Sequence, residues 1–426
     1  MQPTALIAKI LQDIRASYWF IPSLLVLVAI ALSELMPVID HSGVAQLLPV
    51  SMRDTQVEGA RAMLSVIASS VIGVAGVMFS MTVVAVSFAS SNFGPRLIGN
   101  FMRDRANQMS LGILISTFVY TMLILRAVQD PSADGADLSV ELFVPHLSVM
   151  VAIGLALISV FTMIFFIHHI PEAINLANIT SGLGERLVAS IRASSVTFDD
   201  KYVAPPEGLA VHYLTAGSAG YMRTLNKHRL AKLAMDHGWW IDVMEVPGAF
   251  LDSDKYVLRL HGGPVLDDAM TEDLRECFAL GRERSEDQNM MFIVDQLCEV
   301  IARALSPGIN DPFTAINCMN WLHVALLLAL DHPPGRRGSA FERVSVPATT
   351  FTDLLRLSHS MCRPYLASDL NASQHVLKLL GELAGRAPEG PRRDAVLHEQ
   401  AELLEMALAI QTDPVAQRMI RRSAAE

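Results

Sequence analysis

Residues 62–91 read AMLSVIASSVIGVAGVMFSMTVVAVSFASS, thirty positions without Asp, Glu, Lys, Arg, His, Asn, Gln or Pro. A helix of that length, rising 1.5 Å per residue, runs about 45 Å and exceeds the roughly 30 Å hydrocarbon core of a bilayer. It must therefore tilt or project beyond the membrane. Ser65, Ser69, Gly73, Gly76, Ser80, Ser87 and Ser91 follow one another at steps of 4, 4, 3, 4, 7 and 4, so they share one face. The other faces carry Val, Ile, Met and Phe. Two readings fit such a stripe. Small residues let helix backbones approach closely, which is common in membranes. Alternatively, serine hydroxyls face a water-filled path that the glycines widen. Both hold if copies of the helix surround a symmetry axis.

Outward from this helix, the chain divides sharply in composition. Residues 1–170 hold eight Lys or Arg and ten Asp or Glu, against 25 and 33 in residues 171–426. The first part is apolar; the second has the balance of an ordinary soluble domain with a formal charge near −8. No basic cluster suits nucleic acid, which excludes that partner class. The four cysteines, Cys277, Cys298, Cys318 and Cys362, all lie in the second part without metal-type spacing. They read as buried free thiols in a reducing cytosol.

Three further apolar runs accompany the long helix, giving spans at 18–36, 62–91, 109–128 and 147–167 within a membrane domain of residues 1–170. Tyr18 and Trp19 suit the headgroup level. Lys9 and Arg15 precede the first span, and Arg96, Arg103 and Arg105 follow the second. The loop after the third holds Asp130, Asp134, Asp137 and Glu141 and no Lys or Arg. Basic loops stay inside, so both termini are expected in the cytoplasm. Glu34 and Arg126 reach similar depth at the outer ends, where each can snorkel to the interface or pair with the other. His168 and His169 point about 100° apart, poor spacing for metal ligands and better suited to an interfacial pair.

The second part begins with an amphipathic helical linker, 171–204, that ends near Pro205-Pro206. A small β-rich unit, 205–263, follows: strands in GLAVHYL, AGYMRTL, WWIDVMEV and KYVLRL, and a helix capped by Asn226 and stopped by Gly238. Residues 264–426 read as helices throughout. Their most distinctive feature is an elbow, SPGINDPFTAI, between helices 286–305 and 312–330, with Asp311 placed to cap and Pro312 in the first turn. The elbow reads first as a structural turn. A polar ligand or ion site built from Asp295, Glu299, Asn310 and Asp311 is its functional alternative. Further helices are expected at about 348–365, 369–386 and 392–411. The fold class is thus an α-helical membrane protein with four transmembrane helices and a cytoplasmic α+β domain, a β-rich unit followed by a helical bundle.

FSMTVVAVSFASSNFGPRL, FMRDRANQMSLGILISTFVYTMLIL and RALSPGINDPFTAI resemble the marker segments of domain-of-unknown-function family 2254, uncharacterised bacterial membrane proteins. The resemblance spans roughly residues 10–410. It implies an inner-membrane location and carries no activity or catalytic residue. No phosphate loop, nucleophile elbow, metal-protease helix or kinase pattern is present in the sequence, so an enzyme is not expected, nor a cofactor or metal. The favoured function is a homo-oligomeric channel for an ion or small solute with a cytoplasmic gating or assembly domain. The alternative is a membrane-anchored sensor or scaffold whose soluble part binds a ligand or partner.

Overall fold

The computed structural model describes residues 17–42, 56–94, 104–128, 144–196, 203–286, 288–331, 337–338 and 341–426. The loop residues that orient the chain (Lys9, Arg15, Arg96, Arg103, Asp130, Asp134, Asp137 and Glu141) lie outside them. Two compact units divide the chain, one of residues 13–91 and 95–175, the other essentially 176–426.

The first unit contains α1 (Phe20–His41), α2 (Val57–Phe93), α3 (Arg105–Ala127) and α4 (His146–Ala173). All four are long and apolar enough to cross a membrane. Three exceed their expected bounds appreciably. α1 continues through Pro37, whose missing N–H breaks only one ladder bond, and α4 continues through Pro171. α2 has 37 residues, about 55 Å of helix. Its inward face is Ala60, Leu64, Ala68, Val71, Ala75, Met78, Thr82, Ala85 and Ala89, all buried. α2 and α3 run antiparallel: Arg61 donates to the Val128 carbonyl at 3.0 Å, and Thr82 Oγ1 donates to Asn107 Oδ1 at 3.3 Å. Gly112 of α3 admits α1, since a Cβ there would stand 2.7 Å from Leu25 Cδ1 and 3.1 Å from Pro22 Cα. Glu34 and Arg126 are both exposed and no ion pair joins them.

The second unit opens with α5 (Leu176–Val196), which buries Leu183, Leu187 and Ile191. The strands are β1 (Val211–Thr215), β2 (Gly220–Leu225), β3 (Trp240–Val243), β4 (Phe250–Leu251), β5 (Tyr256–His261), β6 (Phe278–Gly281), β7 (Arg337–Gly338) and β8 (Val344–Pro347). They form one sheet of order β1-β5-β3-β8-β7 and another of order β4-β2-β6. α6 (Lys227–His237) has Asn226 as its cap, accepting from Arg229 N at 3.0 Å, and stops at left-handed Gly238, as expected. The shared core centres on Trp239, Met222, Leu230, Ile241, Leu258 and Val344.

The β-rich unit does not close at residue 263. β6 pairs with β2, and β8 pairs in parallel with β3, so the reading of 264–426 as wholly helical is corrected. The returning strand VSVP is short and its partner lies a hundred residues upstream, which local patterning does not register. α7 (Asp268–Arg275) precedes β6. α8 (Met290–Ala304) and α9 (Pro312–Leu330) make the αα-hairpin around the elbow. α9 is a fifth helix apolar and long enough to cross a membrane, but its neighbours α5, α8 and α12 bury half of it. α10 (Phe351–Leu355) runs through a π-turn (Arg356–Ser360) toward α11 (Arg363–Ser368), replacing one expected helix. α12 (Leu370–Arg386) and α13 (Pro391–Ile410) follow the expected pattern, and α14 (Pro414–Ala425), capped by Asp413, adds to it.

Candidate functional site

The Ser/Gly stripe lies on α2 at roughly 160° from its inward face, taking 100° per residue. Every stripe residue, Ser65, Ser69, Gly73, Gly76, Ser80, Ser87 and Ser91, is exposed. A Cβ added at Gly73 or Gly76 would meet nothing within 4 Å, in contrast to Gly112. Among the described residues the stripe therefore does not serve helix packing; alanines perform that task on the opposite face. Ser69 and Ser80 donate to the carbonyls of Ser65 (2.8 Å) and Gly76 (3.0 Å), one turn back along their own helix. Those bonds remove the cost of burying the hydroxyl protons in lipid, while the oxygens keep acceptor capacity. Of the inner-mouth bases, Arg105 is exposed at the start of α3, whereas Arg96 and Arg103 lie outside the described residues.

A second constellation, missed by the sequence reading, occupies the interior of the four helices. At one end Asp104 caps α3 by accepting from Ala106 N (2.9 Å) and meets His169 Nε2 of α4 at 2.6 Å. The Thr82–Asn107 bond of α2 and α3 and the start of α1, through Tyr18, lie against the same carboxylate. Midway, Ser159 donates to Thr117 at 3.1 Å, with Thr121 and Thr162 one turn away. At the far end Asp40 of α1 accepts from Leu147 N (2.8 Å), Ser148 N (3.0 Å) and Ser148 Oγ (2.6 Å). A carboxylate on one helix thus satisfies the orphan N–H groups that open another, where Pro145 offers no side-chain cap. Tyr120 donates to the Ser148 carbonyl beside it at 3.2 Å. The adjacent histidines diverge: His169 turns inward to Asp104, and His168 outward to Glu172 at 3.3 Å.

The proposed polar site of the second unit is dispersed among separate partners. Asp295 pairs with Arg284 at 2.5 Å, and Glu299 with Arg303 at 3.5 Å. Asp311 caps α9, accepting from Thr314 N at 3.2 Å and Thr314 Oγ1 at 2.5 Å. Asn310 is exposed with φ of 51°, the left-handed turn that the elbow requires. Among the described residues no group of three or more His, Cys, Asp or Glu side chains could hold a metal ion. All four cysteines are free and buried. Burial pushes the Cys277 thiol up to about 12 and raises Cys318 as well; contact with Cys362, then burial, does so for Cys298. These thiols are held protonated and unreactive.

A family described as "Predicted membrane protein (DUF2254)" matches residues 15–382. Uncharacterized proteins of Mycobacterium bovis and Mycobacterium tuberculosis are 27% identical to the chain over 410 residues, covering 93% of it and 77% of each relative. No solved structure matches.

Proposed function

The chain belongs to this family of predicted membrane proteins, and on that premise we propose that it is a homo-oligomeric channel for an ion or small solute. In this reading α1 to α4 span a bacterial inner membrane with both termini in the cytoplasm, and the second unit serves as a cytoplasmic gating or assembly domain. Four helices are too few to enclose a path for a hydrated solute readily, so in this reading the path runs between several copies around an axis. The observation carrying the proposal is the uncovered Ser/Gly stripe, opposite the face that α2 packs against its own chain. An uncovered helix face in a membrane ordinarily carries the large apolar residues that lipid favours; here those residues flank the stripe.

The test is thiol accessibility after replacement of the four native cysteines. Charged thiol reagents should modify Ser69→Cys, Ser80→Cys and Ser87→Cys and spare Val77→Cys and Val84→Cys. Val77 and Val84 are themselves 62% and 68% exposed in the single chain. A difference in reactivity therefore reports water against lipid or protein, since a thiol must ionise to react. Uniform protection along the stripe would remove the path and leave the four helices as an anchor for a sensor or scaffold.

A further inference from the structure

The interior column of polar side chains is separate from the stripe and does not depend on it. On α3, Asn107, Ser110, Leu114, Thr117 and Thr121 follow at steps of 3, 4, 3 and 4, all buried on one face. From Asp104 to Tyr120 the column extends about 24 Å along α3. A carboxylate stands at each end with an imidazole close by: Asp104 against His169 at 2.6 Å, and Asp40 bonded to Leu147 and Ser148, next in sequence to His146. The buried Nδ1 of His146 has no hydrogen-bond partner among the described residues. Ionisable and hydroxyl groups turned inward from several membrane helices are costly and characteristic of ion and proton pathways.

We propose that each four-helix unit conducts protons through this interior, between Asp104–His169 at one end and Asp40 at the other. The chemistry selects a proton rather than a metal cation. Ser159 to Thr117 at 3.1 Å and Ser148 to Asp40 at 2.6 Å are direct contacts that leave no space for an ion with its hydration shell. A proton instead passes along hydrogen bonds. Each hop breaks one O–H or N–H bond as it forms the next, and the donor hydroxyl then rotates to reset. One proton enters for each that leaves, and no electron moves. Ser110, Thr121 and Thr162 rest with their hydroxyls donated to carbonyls of their own helices, and Ser159 shares its proton between Thr117 and the Leu155 carbonyl at 2.9 Å. They must swing off these bonds to relay. Leu114, Phe166 and Met78 form an apolar layer between Ser110 and Thr117. This layer is the barrier, crossed at Thr162 or by transient water.

The full-length protein in potassium-loaded phosphatidylethanolamine–phosphatidylglycerol vesicles tests this. Valinomycin sets an inside-negative potential and an internal pH dye reads proton entry. Acidification should exceed that of protein-free vesicles. It should fall roughly tenfold in Thr117→Val and Ser159→Ala, which each remove a relay hydroxyl, and likewise in Asp104→Asn. Phe166→Ala should raise it. Ser69→Ala and Ser80→Ala on the stripe should leave it unchanged. Thr117→Val keeps side-chain shape, so gel filtration identifies a folded variant even if Asp104→Asn, which keeps the α3 cap, disturbs the contact with His169. No acidification by wild type, or acidification that survives Thr117→Val and Ser159→Ala, overturns the proposal. Loss through the stripe variants alone would assign the flux to the oligomer axis instead. Inert stripe cysteines beside intact proton flux would remove the channel reading and leave this one standing.

Discussion

His359 sits in the π-turn of the second unit, fully buried, with Ser358 Oγ 2.9 Å from its Nδ1. Burial, reinforced by neighbouring His323 and Arg363, lowers its pKa from 6.5 to about 3. Its neutral form is thus favoured on folding, while the unfolded chain takes up a proton near 6.5. The stabilisation is fully present above the unfolded value and is lost as pH falls toward the folded one. Linkage puts the loss at about 2 kcal/mol between pH 7 and pH 5, from this one group. Burial also lowers the pKa values of His323 and His375, which adds to the effect in the same direction. Urea unfolding of the full chain in mild detergent, followed by tryptophan fluorescence, should show this dependence. Three of the four tryptophans, Trp239, Trp240 and Trp321, report on the second unit. His359→Gln will lower stability at every pH by disturbing a packed site, but it should flatten the pH 5–7 slope by that same 2 kcal/mol. An unchanged slope in His359→Gln would refute the reasoning, because the protons taken up on unfolding would then belong elsewhere.

Two further substitutions probe the helical packing of this unit. Asp311→Ala removes both bonds to Thr314 and should cost about 0.5–2 kcal/mol, whereas Asp311→Asn should be nearly neutral; loss of function in a well-folded Asn variant would give the carboxylate a chemical role. Gly184 and Gly182 of α5 should respond oppositely in thermal melts. A Cβ at Gly184 would overlap the Trp321 ring, so Gly184→Ala should destabilise by about 1–3 kcal/mol. At Gly182 the nearest atom is 3.9 Å away, and Gly182→Ala should stabilise by up to about 1 kcal/mol through helix propensity.

The local chemistry of the sequence translated directly into structure. Asn226, Gly238, Asp311 and Pro312 act where they stand, because a cap or a left-handed stop involves only residues a turn away. The apolar runs likewise became α1 to α4. Nonlocal pairings were hidden. β8 joins β3 across a gap of a hundred residues, and Asp40, which closes a span in the sequence, caps a helix that begins beyond residue 145. No periodicity in LMPVIDHS distinguishes such an acid from one that merely marks a helix end.

The long helix shows why the candidate site was only half legible. α2 has two faces of small residues, one of Ser and Gly and one of Ala, and period alone cannot say which turns inward. In water the polar face would point out and the choice would be fixed. In a membrane both surroundings are apolar, so hydropathy does not choose and packing does. Alanine gives this face of α2 a shallow surface against residues of α3 and α4, whereas Ser69 and Ser80 keep their hydroxyls on their own backbone. The rule that replaces hydropathy is inverted: the least apolar of the four helices, α3, is the most buried. Asn107, Ser110, Thr117 and Thr121 on a single span therefore identify its interior face from sequence, once lipid is taken as the solvent. By the same rule the uncovered weakly polar face of α2 is the one that the proposed assembly would cover.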